Sequence, residues 1–244
     1  MPNNKFLSYD AERAPKVRRL FTVLASRYDL ANDVQSFGLH RRWKRRLAAL
    51  ATRDSRPGWR VLDLCCGTGD VVFAARRDGA AVVGLDFTEA MLAIALRRRT
   101  AGEGDDGAQF VQGDALRLPF ANASFDAITI GYGVRNMADI EAGLREMLRV
   151  LRPGGRLVVL DCGKPDNTLV RALFFGWLRV TMPLVGWLFH RDADTYLYIL
   201  DSLRAFPAQR GLEAMMRGAG MANVRVENLL LGTMAINYGE RAAS

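Results

Sequence analysis

The chain has 244 residues, of which 50% are hydrophobic, 25% are charged and 9% are aromatic. This length and composition suit one globular domain with a full-sized core, and they exclude a disordered or collagen-like chain. Three cysteines and two histidines exclude a disulfide scaffold, and because two of the cysteines are adjacent we expect no metal site.

The net charge of +8 belongs to the first quarter of the chain, because residues 1–60 carry 14 Lys and Arg against 5 Asp and Glu. A local basic surface suits an anionic membrane or a negatively charged ligand as well as it suits RNA. Residues 1–10 have no apolar stretch behind their charges, so we expect no secretory signal and a cytoplasmic protein.

The first predicted unit is a basic, helical N-terminal extension at residues 1–56, which belongs to the same domain as the rest. Across residues 57–244, short β-branched runs alternate with amphipathic stretches, which predicts an α/β fold with a mostly parallel sheet. Strands are expected at 60–64, 81–86, 109–112, 125–131 and 156–161, and helices at 69–77, 88–99 and 139–151. The run Arg152-Pro-Gly-Gly155 should end the last of these helices. Two further strands, 224–230 and 233–238, predict an antiparallel hairpin at the sheet edge.

A glycine turn follows the first strand. Gly67 and Gly69 allow the backbone to bend sharply and approach a ligand, and the helix behind them offers free N–H groups. Val72 stands where a dinucleotide-binding turn would have its third glycine, so the NAD(P) pattern is incomplete. Asp63, on the strand before the turn, can organise it and attract the ammonium group of an amino-acid-like cofactor, whereas it would repel a pyrophosphate.

Carboxylates also follow the next two strands. Asp86 is placed to accept hydrogen bonds from two ribose hydroxyls, and Asp114 can accept from an adenine amino group. This pattern resembles motif I of the class I S-adenosylmethionine (SAM) methyltransferases, and the resemblance implies SAM as the cofactor. The structural alternative is a tight turn with a solvated Asp86. The implied cofactor-binding residues are Tyr28, Asp63, Gly67, Thr68, Gly69, Asp86, Phe87, Asp114, Ala115 and Gly131.

The loop after the fourth strand bears on the methyl acceptor. Methyltransferases that modify the amino groups of nucleobases carry an Asn/Asp-Pro-Pro-aromatic run there, and this chain has Gly131-Tyr-Gly-Val-Arg-Asn136 instead. The loop presents Tyr132, Arg135 and Asn136 beside the expected position of the methyl group. A nucleic acid partner is therefore not expected.

A more specific resemblance lies in the N-terminal extension. The run Tyr28-Asp29, Asn32-Asp33, Ser36-x-Gly38-x-His40-Arg41-x-Trp43-Lys44 resembles the N-terminal signature of the UbiE/MenG family, the quinone C-methyltransferases of menaquinone and ubiquinone synthesis. Later blocks extend the likeness over residues 21–241. The resemblance implies a class I methyltransferase: a Rossmann-like sandwich whose seven-stranded, mostly parallel sheet ends in the C-terminal hairpin. The implied substrate is a reduced polyprenyl quinol, most directly demethylmenaquinol, with the polyprenyl-methoxybenzoquinol of ubiquinone synthesis as a further acceptor.

In the implied reaction a ring carbon of the quinol takes the methyl group of SAM, and the ring is most nucleophilic as a phenolate. Arg135 stays protonated, so we assign it to stabilise the developing phenolate. Its alternative role is a structural fork that bonds loop carbonyls. The group that removes the quinol proton is left open among Asp161, Tyr132 and a water held by Asn136.

Two residues of the signature have further expected roles. Tyr28 should close over the cofactor, because the helical extension must fold against the glycine turn to exclude water. His40 has an intrinsic pKa close to neutrality and is open as a base, but Arg41 and Arg42 flank it and a structural or gating role is the alternative. Asn237 stands where a His is common in the family, which argues against essential proton transfer at that position.

Residues 165–206 form an apolar insertion, which we expect to fold as a lid over the carboxyl ends of the strands. The stretch 168–190 is long enough to raise the question of a bilayer span. It contains Arg171 and Arg179, and Pro183 should break a helix, so no span is expected. Four aromatic residues of the lid either line a path for an isoprenoid tail or pack the lid onto the core: Phe174, Phe175, Trp177 and Trp187.

A polyprenyl tail partitions into lipid, so we expect transient contact with the inner face of the membrane through residues 41–46 and the lid. A homodimer is left open. Two alternative functions remain at this stage: methylation of another apolar small molecule, and a non-catalytic subunit that binds SAM or quinol within a biosynthetic complex.

Overall fold

A computed structural model describes residues 12–103, 107–192 and 194–243. The start of the N-terminal extension, including the segment 1–10 considered for a secretory signal, lies outside the described residues.

The described residues form a seven-stranded sheet. Its strands are β1 (Arg60–Leu64), β2 (Ala81–Asp86), β3 (Gln109–Gln112), β4 (Phe125–Gly131), β5 (Leu151–Cys162), β6 (Met221–Leu229) and β7 (Met234–Arg241). Their order across the sheet is β3-β2-β1-β4-β5-β7-β6. Strands β1 to β5 are parallel, whereas β7 runs antiparallel to both β5 and β6. The predicted fold class, with its C-terminal antiparallel hairpin, is confirmed.

Nine α-helices are present in the same ranges. They are α1 (Arg13–Leu24), α2 (Tyr28–Ser36), α3 (Leu39–Thr52), α4 (Asp70–Arg77), α5 (Glu89–Thr100), α6 (Ile140–Val150), α7 (Thr168–His190), α8 (Asp194–Ala205) and α9 (Ala208–Gly218). The three helices predicted between the strands are confirmed, each within one residue at either end. The connections place helices on both faces of the sheet, as parallel strands require.

The fifth strand begins earlier than expected. Leu151 pairs with Phe125, and a register shift then places Arg156 opposite Ala127. The run from Arg152 to Gly155 is therefore an irregularity inside β5, and the predicted strand start at 156 is wrong. A bulge of this kind lets pairing resume beyond the extra residues. Helix α6 ends at Val150 with Leu151 as its C-cap, just before this run.

Both faces of the sheet are buried. Leu62 and Leu64 of β1 belong to the apolar cluster on one face, and Val61 belongs to the cluster on the other. Successive side chains of a strand point to opposite faces, so an apolar run serves two helical layers. The N-terminal extension is part of the second layer, since Leu47 and Ala51 of α3 are fully buried in it.

The lid insertion folds as two packed helices, α7 and α8. Helix α7 runs unbroken from Thr168 to His190 with Pro183 inside it, so the expected break is wrong. Proline removes one backbone donor, while buried neighbours on either side, Met182 and Val185, hold the helix against the core. Among the described residues, α7 is the one helix that is long and apolar enough to cross a membrane by length and composition.

Candidate active site

Two large cavities meet at the carboxyl ends of the strands. The first, named here the glycine-loop cavity, encloses about 770 Å³ with its open mouth and is lined by Gly67, Asp86 and Asp114 among others. The second, named the apolar cavity, encloses about 1270 Å³ between the N-terminal helices and the lid, and Trp43, Phe174 and Trp177 line it. Phe21, Tyr28 and Tyr132 line both, so these three side chains separate the cavities.

The glycine turn has left-handed backbone at three nearby positions, Cys65 (φ 52°), Gly67 (φ 54°) and Gly69 (φ 92°). Asp86 holds it in place: Gly67 N donates to Asp86 Oδ2 at 2.9 Å, and Thr88 N donates to Asp86 Oδ1 at 2.8 Å. Burial raises the pKa of Asp86. Each carboxylate oxygen keeps a second lone pair, so Asp86 can still accept from a ligand that enters the glycine-loop cavity.

A smaller recess beneath the turn is lined by Asp63, Thr68 and Lys44. Asp63 is buried; Thr129 Oγ1 donates to its Oδ1 at 2.6 Å, and its Oδ2 has no hydrogen-bond partner in the structure. Burial raises the pKa of Asp63 to about 7. A buried carboxylate oxygen without a donor suits an incoming cation, so the recess fits the ammonium group of a methionine-like ligand.

The N-terminal extension is fastened to the turn by polar contacts. Thr68 Oγ1 donates to Asp29 Oδ1 at 2.9 Å. Lys44 Nζ donates to Asp70 Oδ2 at 2.8 Å, and both side chains are largely buried. These contacts place Tyr28 over the turn, where its ring lines the recess and both cavities.

The loop after β4 forms the other wall. Tyr132 has φ 61°, and its backbone N donates to Leu160 O at 2.7 Å. Asn136 Nδ2 donates to Tyr132 O at 3.0 Å, and Tyr198 of the lid donates to Asn136 Oδ1 at 3.2 Å. Burial raises the pKa of the Tyr132 hydroxyl well above its ordinary value, so this hydroxyl keeps its proton at neutral pH.

The sequence of the chain resembles those of known proteins. Residues 9–241 match the model of the ubiE/COQ5 methyltransferase family. The chain belongs to this family.

Curated relatives match over nearly the whole chain. The chain is 43% identical to the ubiquinone/menaquinone biosynthesis C-methyltransferase UbiE of Ectopseudomonas mendocina, over 94% of this chain and 90% of that protein. It is also 43% identical to the demethylmenaquinone methyltransferase of Thermus thermophilus, over 91% of this chain and 100% of that protein. The predicted family membership and the predicted enzyme class, a SAM-dependent C-methyltransferase, are confirmed.

Solved structures share the fold. A putative SAM-dependent methyltransferase from Methanococcus maripaludis superposes with a TM-score of 0.61 at 18% identity, covering 89% of this chain and 92% of that one. Phosphoethanolamine N-methyltransferase 2 of Haemonchus contortus, solved with S-adenosyl-L-methionine, gives a TM-score of 0.58 at 16% identity over 81% of this chain and 52% of that one. At these identities the likeness concerns the fold alone.

The structure gathers most of the cofactor-binding residues expected in this family member. Seven of the ten line the glycine-loop cavity, namely Tyr28, Gly67, Asp86, Phe87, Asp114, Ala115 and Gly131. Asp63 and Thr68 line the recess beside it. Gly69 lines neither space, and a Cβ at this position would lie 3.0 Å from the Phe73 ring. Its place in the structure is to let the turn enter α4.

Three of the four expected catalytic residues line a cavity, and the fourth, Asp161, does not. Tyr132 and Asn136 line the glycine-loop cavity, and Tyr132 and Arg135 line the apolar one. Asp161 lines neither, because it is engaged by the loop: Arg135 Nη1 donates to its Oδ1 at 2.6 Å, and Arg135 N donates to its Oδ2 at 3.3 Å. This position does not suit Asp161 to receive a substrate proton directly.

Arg135 combines the two roles that the sequence left open. Its Nη1 donates to Tyr132 O at 3.0 Å as well as to Asp161, which is the structural fork. Its Nε is buried without a hydrogen-bond partner, and the side chain lines the apolar cavity. Arg135 therefore keeps a donor for a ligand oxygen.

Several site residues of α2 and α3 have no assigned role in the sequence prediction. Asn32 and Gln35 line the apolar cavity together with Tyr28. Their spacing of three and four residues puts them on one helix face, and this signal could have identified them. Asp33, quoted only as part of the family signature, binds His40, which also lines the cavity.

The lid aromatics have different environments. Phe174 and Trp177 line the apolar cavity, as expected for a path to it. Phe175 packs against the core. Trp187 lines neither cavity and is 60% exposed, so its expected place along the path is not what the structure shows. In the ranges 12–103, 107–192 and 194–243, no group of three His, Cys, Asp or Glu could hold a metal ion.

Proposed function

We propose that the chain transfers the methyl group of SAM to a ring carbon of a reduced polyprenyl quinol, with demethylmenaquinol as the leading acceptor. The observation that carries the proposal is the shared wall of the two cavities. Phe21, Tyr28 and Tyr132 separate a carboxylate-bearing cavity from a large apolar one. A polar cofactor and an apolar aromatic acceptor thus have adjoining sites, and the relatives are named for methylation of quinones.

The residues present fit SAM. Asp63 offers an unpartnered carboxylate oxygen to an ammonium group, and Asp86 and Asp114 line the space that a nucleoside would fill. When bound, SAM supplies an electrophilic methyl group on a sulfonium centre. The protein's part is to hold the acceptor ring against that group and to exclude water.

Arg135 is proposed to stabilise negative charge on a ring oxygen of the quinol. Its guanidinium is fixed by Asp161 and lines the apolar cavity. A preorganised charged donor in a buried site stabilises developing charge far better than the same group in water. The tail of the quinol would continue along the lid.

The mouth of the apolar cavity is ringed by exposed apolar side chains. Phe37 is 81% exposed and Leu230 59% exposed, and both line the cavity. The outer face of α7 continues the patch with Leu169, Leu173, Trp177, Val180, Leu184, Trp187 and Leu188. Exposed apolar surface of this extent marks an interaction site.

We propose that this patch rests on the membrane surface. Arg171 and Arg179 on α7 are exposed, and an arginine is costly at the bilayer centre but stable at the headgroups. Together with the exposed residues Arg41, Arg42, Arg45 and Arg46 of α3, they favour a helix that lies in the interface. The quinol tail would then enter directly from the lipid. The homodimer left open by the sequence stays a prediction.

The function is tested with purified protein, SAM carrying a deuterated methyl group, and a short-tailed demethylmenaquinol kept reduced in detergent. The expected result is a quinone heavier by the labelled methyl group, identified by mass spectrometry. A methoxybenzoquinol acceptor run in parallel decides between the two ring types. Absence of labelled product from both acceptors, with SAM binding intact by calorimetry, would overturn the proposal.

Membrane contact is tested by flotation with vesicles. Vesicles that contain anionic phospholipid should retain the protein at low salt and release part of it at high salt. Leu188→Gln should weaken retention, whereas Leu96→Gln, which changes an exposed leucine of α5, serves as the matched control. Equal retention of both variants, or retention that does not change with lipid charge and salt, would contradict the proposal that this patch rests on the membrane.

A further inference from the structure

His40, which is buried, and Asp33, whose side chain is 28% exposed, form a hydrogen-bonded pair beside the apolar cavity. His40 is 2% exposed, and its Nε2 lies 2.8 Å from Asp33 Oδ1. Arg41 donates to both oxygens of the same carboxylate, at 2.7 and 2.6 Å. The hydrogen bond from Arg41 holds the pKa of Asp33 at about 2. Asp33 is therefore an anion at neutral pH.

The ionised carboxylate fixes the state of the imidazole. A carboxylate only accepts hydrogen bonds, so Nε2 of His40 must carry a proton and donate it. In a neutral ring this leaves Nδ1 with its lone pair. Nδ1 is buried and has no hydrogen-bond partner in the structure. Burial lowers the pKa of His40 below its ordinary value of 6.5, which keeps the ring neutral.

The ring of His40 lines the apolar cavity opposite the loop after β4. Gln35 lines the same cavity, and its Nε2 is likewise buried without a partner. Asn32 Nδ2 and Arg135 Nε are two further such atoms on residues that line this cavity. Buried polar atoms are nearly always paired, so four unpartnered nitrogens on residues around one apolar space point to a ligand with several oxygen atoms.

We propose that His40, oriented by Asp33, accepts the proton of a ring hydroxyl of the quinol, while Gln35 donates a hydrogen bond to a ring oxygen. The inference rests on the proposed function and assigns the proton acceptor that the sequence left open. An acceptor nitrogen, an ionised orienting group and an apolar pocket are the parts that general-base catalysis requires.

The proton balance is complete with these groups. The hydroxyl O–H bond breaks, its proton goes to Nδ1, and the electron pair stays on the oxygen as a phenolate. The ring carbon would form its bond to the methyl group as the bond from that group to the sulfonium sulfur breaks, and the electron pair of the broken bond stays on sulfur. The ring carbon then loses its own proton to solvent, and the imidazolium returns a proton to the ring oxygen. The net reaction releases one proton, and Asp33 stabilises the transient imidazolium.

Charged and titratable groups act on His40, bind its partner Asp33 or line the same cavity, from each element around it. They are Tyr28 and Asp33 from α2, Arg41 and Lys44 from α3, Asp70 from α4, Tyr132 and Arg135 from the loop after β4, Cys162 from β5, and Tyr196 and Tyr198 from α8. Lys44 adds to the lowering of the His40 pKa, whereas Asp33 and Asp70 oppose it. The acid limb of the rate profile should therefore lie below the ordinary histidine range.

The first test reads the imidazole directly. The chain has two histidines, so His190→Gln leaves His40 as the one ring observed by ¹⁵N NMR. The expected spectrum shows a protonated Nε2 and an unprotonated Nδ1, and the Nδ1 resonance should shift when a non-reactive quinol analogue binds. A protonated Nδ1, or an Nδ1 resonance that does not shift when the analogue binds, would overturn the proposal.

The second test is kinetic. His40→Gln should lower turnover by about 10²- to 10⁴-fold, the usual range for a lost general base, and should abolish the acid limb, while SAM affinity by calorimetry and the melting temperature change little. Asp33→Asn should lower turnover at least tenfold. If His40→Gln retains the limb and its turnover with full SAM affinity, the assignment fails while methylation itself stands. If the wild type itself forms no methylated product, the proposed function is wrong instead.

Should His40→Gln fail to fold, Gln35→Leu keeps the inference testable. This change removes the proposed donor to the ring oxygen, so KM for the quinol should rise at least tenfold. If folded Gln35→Leu has an unchanged KM for the quinol, Gln35 does not bind the quinol.

Discussion

Arg135 and Asp161 form an ion pair of 2.6 Å in which both side chains are less than a tenth exposed. The pair joins the loop after β4 to the end of β5. It therefore fixes the wall between the two cavities while it presents the Arg135 guanidinium to the apolar one. Arg135 thus holds the loop in place and also supplies the charge for the proposed reaction, so a single substitution would disturb both.

Arg135→Ala should lower both stability and turnover. The change leaves Asp161 buried without its cation, which costs about 3–5 kcal/mol, and it removes the donor proposed for the phenolate. Urea unfolding and the quinol assay measure the two effects. The double variant Arg135→Ala with Asp161→Ala should recover part of the free energy of unfolding but none of the turnover. Recovery of both would reduce Arg135 to a structural role.

SAM affinity should depend on pH through Asp63. Burial raises the pKa of this carboxyl to about 7, and only the anion attracts the ammonium group, so binding below that pH must release a proton. Affinity should then fall by up to about tenfold per pH unit below neutrality. Calorimetry in buffers of different ionisation enthalpy measures the released proton. A flat profile between pH 6 and 8 would be incompatible with this contact.

Asp63→Asn separates binding from stability. A raised carboxyl pKa means that the folded state holds the proton more tightly than the unfolded chain does. The free energy of unfolding therefore declines as pH rises from the ordinary value of 3.8 towards 7. The variant should bind SAM more weakly and yet unfold at a higher temperature than the wild type at pH 8.

Asp70→Asn should loosen the N-terminal extension. Asp70 is the partner of the buried Lys44 and also receives Arg98 at 2.8 Å. Loss of one partner of a buried pair costs about 3–5 kcal/mol, discounted here because Asp70 is 20% exposed. Asp54→Asn is the control, since Asp54 is 75% exposed and its change should stay within about 0.5 kcal/mol.

The same pair gives a pH dependence of opposite sign to that of Asp63. Lys44 and Arg98 lower the pKa of Asp70 despite its burial. Its stabilisation is thus present above the ordinary value of 3.8 and is lost as the pH falls below it. Urea midpoints measured from pH 6 to pH 3 should converge for Asp70→Asn and the wild type.

Gly133→Ala should displace the loop that carries Tyr132. A Cβ at Gly133 would lie 2.7 Å from Cys65 Cβ and 2.8 Å from its Sγ, so the loop or the glycine turn must move. SAM affinity should fall at least tenfold. Cys65→Gly should rescue part of it, because it removes both cysteine contacts at a residue whose φ of 52° glycine adopts without cost, while the 2.9 Å contact with Ile130 Cγ1 stays. Gly176→Ala, where a Cβ meets nothing within 4 Å, should leave affinity unchanged.

Local patterns in the sequence were enough to predict strands β1 to β4 and the glycine turn. Strand bounds at β1 to β4 follow from apolar runs between breakers, and the glycine turn follows from Gly67, Gly69 and the carboxylates nearby. These signals depend on residues close together in the chain. The start of β5 and the continuity of α7 through Pro183 were missed, because pairing and packing with distant partners overrode the local signals of Pro and Gly.

The sequence by itself determined the fold class and the family, and it predicted which residues would surround a cofactor. Only the tertiary structure decided that Asp161 is held by Arg135, that His40 Nδ1 is buried without a hydrogen-bond partner, and that Trp187 faces outward. Residue type and spacing tell which groups are available. Whether a carboxylate is paired or an imidazole keeps a free lone pair depends on neighbours brought from other elements, since hydrogen bonds and burial are properties of the packed chain.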